Sequence, residues 1–298
     1  MNGAAINGHL CVVEWLHVNR SEGCTTAAMN EAAEFGHLHV VEWLHRNRHE
    51  GCTNHAAVGA AENGHLQVLK WLHLNRPEVI DDDEDVMDSA AESGHLNIVE
   101  WLSSNRPDCN ISQGMQLAAA RGHLKMVEWL HRNLPQGCSP SAFVNAAMKG
   151  EYIVMQWLRS NKYLKKKGEA ARAAAIPFAA MIGHLEMLEW LYDANAQPDP
   201  LYCTPDVFTR LATCGAIQRG HMNTAEWLLT KKQSWEKVRG YCDLRTIKGA
   251  AQNGHLHMLE WLDPNHTLVN HVSVMDVAAG NGHLSVVEWL QAHHCEGS

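Results

Sequence analysis

A glycine followed seven residues later by a tryptophan occurs ten times in this chain of 298 residues. The glycines are Gly8, Gly36, Gly64, Gly94, Gly122, Gly150, Gly183, Gly220, Gly254 and Gly282. The matching tryptophans are Trp15, Trp43, Trp71, Trp101, Trp129, Trp157, Trp190, Trp227, Trp261 and Trp289. Steps between glycines run 28, 28, 30, 28, 28, 33, 37, 34 and 28 residues, and only Trp235 of the 11 tryptophans falls outside the pattern. A period of this length means stacked supersecondary units rather than a single core. A repeat array also escapes the size limit on one hydrophobic core, because each unit contacts only its neighbours.

Each unit reads as two antiparallel helices. The first is short and runs into the glycine, as in Met29-Asn30-Glu31-Ala32-Ala33-Glu34-Phe35 before Gly36. Glycine is the residue expected there, in a left-handed position just past a helix end, where a side chain is penalised. The paired alanines allow close helix approach and favour the helix intrinsically. The second helix follows, as in His37 to His45, with Leu38, Val40, Val41, Trp43 and Leu44 making a wide apolar face. On its polar face Glu42 and Arg46, like Glu128 and Arg132, are spaced i,i+4 in the favourable order. Gly51, Cys52 and Thr53 connect to the next unit, with Thr53 or Asn54 as the helix N-cap. The expected fold is therefore all-α, an α-solenoid of stacked helix pairs whose core is a continuous ribbon between repeats.

The string Ala-Ala-x-x-Gly-His-Leu-x-x-Val-Glu-Trp-Leu resembles the helix-turn-helix half of the ankyrin repeat, over essentially the whole chain. Tetratricopeptide and armadillo units differ in tryptophan position or in length. Two departures accompany the resemblance. The family's Thr-Pro-Leu-His opening is missing, its leucine position holding residues such as Met29, Ala57, Met87 and Phe143. Most units are also five residues shorter than the family's roughly 33. The deficit falls in the connection, so reduced hairpin fingers, short turns instead of β-hairpins, are expected. On this reading residues 1–298 form a single ankyrin-type array of ten units, with irregular connections at 161–175, 195–209 and 230–245. Both ends look cut: Gly8 comes after seven residues, and His294-Cys295-Glu296-Gly297 resembles a connection into another repeat. The expectation is a fragment of a longer array, or one with frayed ends.

Composition narrows the function. A net charge of −9 and a pI near 6.1 argue against nucleic-acid or anionic-membrane binding, both of which need a basic footprint. No run approaches 18 apolar residues, so no transmembrane helix is expected. The amino-terminal Met1-Asn2-Gly3-Ala4-Ala5 lacks the features of a signal peptide. Nine cysteines without a disulfide-like framework fit a reducing compartment, which points to an intracellular, cytoplasmic or nuclear location.

The 21 histidines raise the question of a metal site. His17, His45, His73 and His131 share one repeat position, and Cys24, Cys52 and Cys138 another. Equivalent positions in stacked repeats stand roughly 10 Å apart, whereas structural zinc needs four ligands at about 2.0–2.3 Å. No metal and no cofactor are expected, and the cysteines read as small apolar plugs in turns. The tryptophans, at a position that is leucine in ankyrin repeats, read as core. No Gly-x-Ser-x-Gly, Walker-type or His-Glu-x-x-His sequence is present, so no catalytic residues are assigned.

The resemblance implies a non-catalytic scaffold that binds protein partners on its concave face, acting as a monomer. The competing reading is the substrate-recognition arm of a larger protein whose catalytic domain lies outside this chain. In the family, the two residues between the alanine pair and the glycine face the concave surface. Here they shift from acidic in the early units to apolar and basic in the middle ones. Phe35, Arg121, Met148, Lys149, Met181, Ile182 and Arg219 are the candidate partner-binding residues. Asp81, Asp82, Asp83, Glu84 and Asp85, ahead of the fourth unit, form a possible acidic docking patch or a helix-capping run.

Overall fold

A computed structural model describes residues 1–80, 84–106, 111, 113–133, 140–161, 168–192, 205–231, 244–262 and 272–294, and among these no strand occurs. The side chains of residues 84, 168–169, 205–208, 231, 272 and 293–294 are outside that description. The chain forms two compact units, Met1–Ala142 and Phe143–Ser298.

In the first unit the helices pair as α1 (Asn2–Ile6) with α2 (Leu10–Asn19), and α3 (Thr26–Glu34) with α4 (Leu38–Asn47). Next come α5 (His55–Glu62) with α6 (Leu66–Asn75), α7 (Glu84–Glu92) with α8 (Leu96–Asn105), and α9 (Gly114–Ala120) with α10 (Leu124–Asn133). The second unit pairs α11 (Ser141–Lys149) with α12 (Tyr152–Ser160), and α13 (Gly168–Met181) with α14 (Leu185–Leu191). It continues with α15 (Pro205–Gln218) and α16 (Met222–Lys231), α17 (Leu244–Gln252) and α18 (Leu256–Leu262), and α19 (Val272–Gly280) and α20 (Leu284–His294). The architecture is an all-helical, ankyrin-like α-solenoid.

Two local devices define the pairs. The first helix closes in a Schellman turn: Gly36 has φ +76°, its N–H donates to Ala33 O at 3.1 Å, and His37 N–H donates to Ala32 O at 2.8 Å. The same two bonds recur at the other nine glycines, all with positive φ. In the first unit the second helix also ends on an asparagine. Asn47 Nδ2 donates to Trp43 O at 2.8 Å and Arg48 N–H to Leu44 O, after which Arg48 turns extended. Asn19, Asn75, Asn105 and Asn133 repeat the side-chain bond.

Packing follows the side-chain sizes. Alanine pairs such as Ala32–Ala33, Ala60–Ala61 and Ala250–Ala251 are fully buried, so consecutive first helices lie closely against one another. The second helices touch more sparingly. They contribute the larger core residues, Val40, Val41 and Leu44 in α4 and Met155 and Leu158 in α12. Between consecutive helix pairs of the first unit, Asn30 and Thr53 exchange hydrogen bonds, Asn30 Nδ2 to Thr53 Oγ1 at 2.8 Å and Thr53 N–H to Asn30 Oδ1 at 2.9 Å. Asn2 and Thr25 do the same. Thr53 is therefore committed to the previous helix pair, and Asn54 takes the N-cap position of α5 without a capping bond from its side chain.

The tryptophans depart from expectation. They are half-buried, not core, and Trp15 is 57% exposed. The indole is too wide for the seam that leucine fills, so it lies on the edge of the seam against the preceding unit. There it meets a histidine edge-on: His17 with Trp43, His45 with Trp71 and His73 with Trp101, at 5.2, 5.1 and 5.4 Å between centroids.

Candidate functional site

The alanine pair and the Schellman glycine fix the backbone on either side of two residues. Those two residues therefore emerge at the last turn of each first helix, at the border of that helix layer. Packing leaves most of their side chains free. Phe35 is 48% exposed, Met148 44% and Ile182 39%. Arg121, Lys149 and Arg219 are exposed.

The candidates do not all behave alike. In the first unit Arg121 is bonded to Glu92, with Nη2 and Nε at 2.7 and 3.1 Å from Oε1. This pair borders a cavity of about 330 Å³ that Glu62, Ser89, Ser93 and His123 also line. In the second unit Met181 is half-buried, because its chain lies over Gly215 of the next first helix. Ile182 reaches back toward Gly150, where an added Cβ would stand 3.3 Å from its Cδ1. Of the acidic run, Asp81, Asp82 and Asp83 lie outside the described residues, and so does the side chain of Glu84. Asp85 is exposed on the first turn of α7.

A second groove in the second unit joins Arg219 to residues that sequence reasoning did not single out. Gln218, Arg219, Arg245, Lys248, Gly249, Gln252 and Asn253 line an open cavity of about 450 Å³. The positions Arg245, Lys248, Gly249 and Gln252 fall at i, i+3, i+4 and i+7 on α17, which is one helix face. The sequence signal was there in that spacing, but two cations in a helix read by themselves as solvated surface. Asn253 Nδ2 donates to Gln218 O at 3.0 Å and clamps the two first helices at the groove's end.

The histidines after the glycines were also missed. An added Cβ on Gly8, Gly36, Gly64 or Gly94 would strike the ring of His37, His65, His95 or His123. Gly220 and Gly254 stand in the same relation to His255 and His283. Each ring thus covers the glycine of the preceding repeat, and Nε2 reaches a carbonyl beside it. His95 bonds Glu62 O at 3.0 Å, His221 bonds Met181 O at 3.0 Å and His283 bonds Gln252 O at 2.8 Å. In the neutral ring this makes Nε2–H the donor. Burial, then neighbouring histidines, hold the pKa of His65 and His255 below the ordinary value. Glu151 replaces histidine after Gly150, and His184 instead accepts Met187 N–H on Nδ1 to cap α14.

At the far end of the second helices a different set of groups is joined. Arg48 forms an ion pair with Glu50 and approaches His17, while Arg76 Nε donates to His45 Nδ1 at 3.2 Å. The Arg48 guanidinium lowers the Glu50 carboxyl to about 2. Burial raises Cys52 to about 11, so its thiol is protonated and unreactive at neutral pH. Among the described residues Cys11, Cys24, Cys52 and Cys214 are not joined in disulfides. Among the described residues no three histidine, cysteine or acidic side chains gather as metal ligands would.

Compared with known proteins, residues 87–131 match the family described as ankyrin repeats (many copies). No curated protein matches the chain. The matched segment spans α7 to α10 and includes two of the glycine–tryptophan motifs.

Proposed function

We propose that this protein, an array of ankyrin repeats, is a non-catalytic scaffold that captures a protein partner on the first-helix face of its second unit. Ankyrin repeats generally mediate protein–protein interaction and are generally non-catalytic. No described helix is long and apolar enough to cross a membrane. The observation that carries the reading is the exposure of Met148 and Ile182, two large apolar side chains on neighbouring repeats. Lys149 and Arg219 flank them, giving the apolar centre and charged rim of a protein-binding surface. Phe35 and Arg121 offer a smaller patch on the first unit, where Arg121 acts together with Glu92.

The test is affinity capture with the whole chain and with Met148→Asp/Ile182→Asp. Both side chains are exposed, so the variant keeps its thermal melt. Loss of the captured protein supports the reading, and capture at the wild-type level overturns it.

A further inference from the structure

The charges lining the first-helix face differ between the two units. In the first unit Glu31, Glu34, Glu62, Asp85 and Glu92 stand on α3, α5 and α7 or at their ends. In the second unit the positions of Glu34, Glu62 and Glu92 are held by Met148, Met181, Gln218 and Gln252, none of them acidic, and Arg245 holds the position of Asp85, with Arg219 and Lys248 near it in the array. This is a local reversal in a chain whose net charge is −9.

Arg219, Arg245 and Lys248 border the 450 Å³ groove, and among the described residues no carboxylate lines it. Other arginines of the chain are neutralised internally: Arg48 by Glu50, Arg76 by Glu78 and Arg121 by Glu92. Among the described residues the three groove cations have no ion-pair partner. Repelling charges gathered around one concavity gain most from an anionic occupant, because a cleft concentrates their field.

One repeat back from the groove stands an exposed apolar side chain, Leu211. Leu211, Cys214, Gly215 and Gln218 occupy on α15 the positions that Arg245, Lys248, Gly249 and Gln252 occupy on α17. Leu211 is 48% exposed and stands beside the position of Arg245, one repeat back. Gly249 lets the helices close up, since a Cβ there would meet Gln218 Cγ at 2.6 Å. Gln218, Gln252 and Asn253 add amides able to bond an extended backbone.

We propose that this groove binds an acidic protein segment, with Asp or Glu side chains at Arg219, Arg245 and Lys248 and an aliphatic side chain on Leu211. Three cations and an exposed leucine one repeat back fit a short carboxylate-bearing peptide. A nucleic acid would call for a basic footprint along many phosphates. The inference rests on the second unit's first-helix face being the docking face and names the chemistry of what docks there.

The experiment uses the full chain and labelled peptides read by fluorescence anisotropy. The probes are an alternating Glu/Leu peptide, its Lys/Leu and Glu/Gly counterparts, and an oligothymidylate. The expected result is selective binding of the Glu/Leu peptide that weakens as salt rises. Arg245→Glu/Lys248→Glu should weaken it roughly tenfold or more, by placing like charges together, and should bring the Lys/Leu peptide into binding. Arg219→Gln, a milder change, should weaken it less and leave the melt unchanged. Equal binding of the Lys/Leu peptide by the unmodified chain, no response to the double substitution, or tighter binding of the oligothymidylate would each overturn the proposal. If Arg245→Glu/Lys248→Glu still captures the cellular partner while Met148→Asp/Ile182→Asp does not, the docking face stands and the acidic-segment assignment fails.

Discussion

At the scale of single residues, the repeating glycine serves two purposes that substitution can separate. Gly36 and Gly282 have nearly the same φ, +76° and +79°, but only Gly36 has a ring over it. Gly282→Ala should therefore lose only the left-handed backbone preference, about 1 kcal/mol. Gly36→Ala should cost more, because His65 must also move. Adding His65→Ala removes the obstruction, so the pair should be less damaging than the sum of the single changes. Urea melts of the four variants measure the difference. Trp129→Ala should cost about 2–3 kcal/mol, below the full core value, since the indole is only half-buried. A thermal melt like that of the unmodified chain would show that this tryptophan contributes no packing.

At the scale of elements, the joints between helices carry the pH dependence. His65 and His255 have lowered pKa values in the folded chain. As pH falls below the ordinary histidine range, near 6.5, the unfolded chain takes up protons first. Stability is thus full above that range and falls on acidification, levelling once the folded histidines are protonated too. The melting temperature should drop between neutral pH and mildly acidic pH, and His65→Gln should reduce that drop. Glu50 adds a second step: its stabilising pair with Arg48 is complete above about 4.5 and is lost as pH falls toward about 2. Removing it with Glu50→Gln should flatten the acid limb alone.

These joints also show what the sequence made legible. Glycine spacing and alanine pairs predicted helix pairs, the left-handed glycines and the absence of hairpins among the described residues. A period identifies equivalent positions but does not tell which residue of one repeat touches which of the next. For that reason the histidine over the glycine was missed, and the 29-residue separation of Glu92 and Arg121 hid their pairing. The tryptophans were misplaced because an apolar stripe does not reveal that its largest member overhangs the edge. Arg245 and Lys248 gained meaning only when α15 supplied the opposite wall.

At the scale of the molecule, the two units should not be equally resistant to opening. The second contains Pro177 within α13 and two buried threonines, Thr213 where the first unit has Met29, Ala57, Met87 and Met115, and Thr224 where it has Val40, Val68, Ile98 and Met126. Proline removes a helical bond, and each hydroxyl needs a partner inside the core. Hydrogen exchange should find the lowest protection in α13 to α16, and denaturation should proceed in more than one step. Equal protection throughout both units would contradict this.

The ring of each histidine rests on backbone that belongs to the repeat before it, and the contact requires nothing of that repeat beyond its glycine. A unit ending in this turn can therefore accept a following unit whose histidine turns onto that glycine. Gene duplication or loss of one whole period would leave the seams on either side intact, so such an array can change its length in single steps while its binding residues diverge. Among the described residues two places depart from this: Glu151 stands where the histidine would follow Gly150, and His184 caps α14 while Ile182 takes the place of a ring beside Gly150.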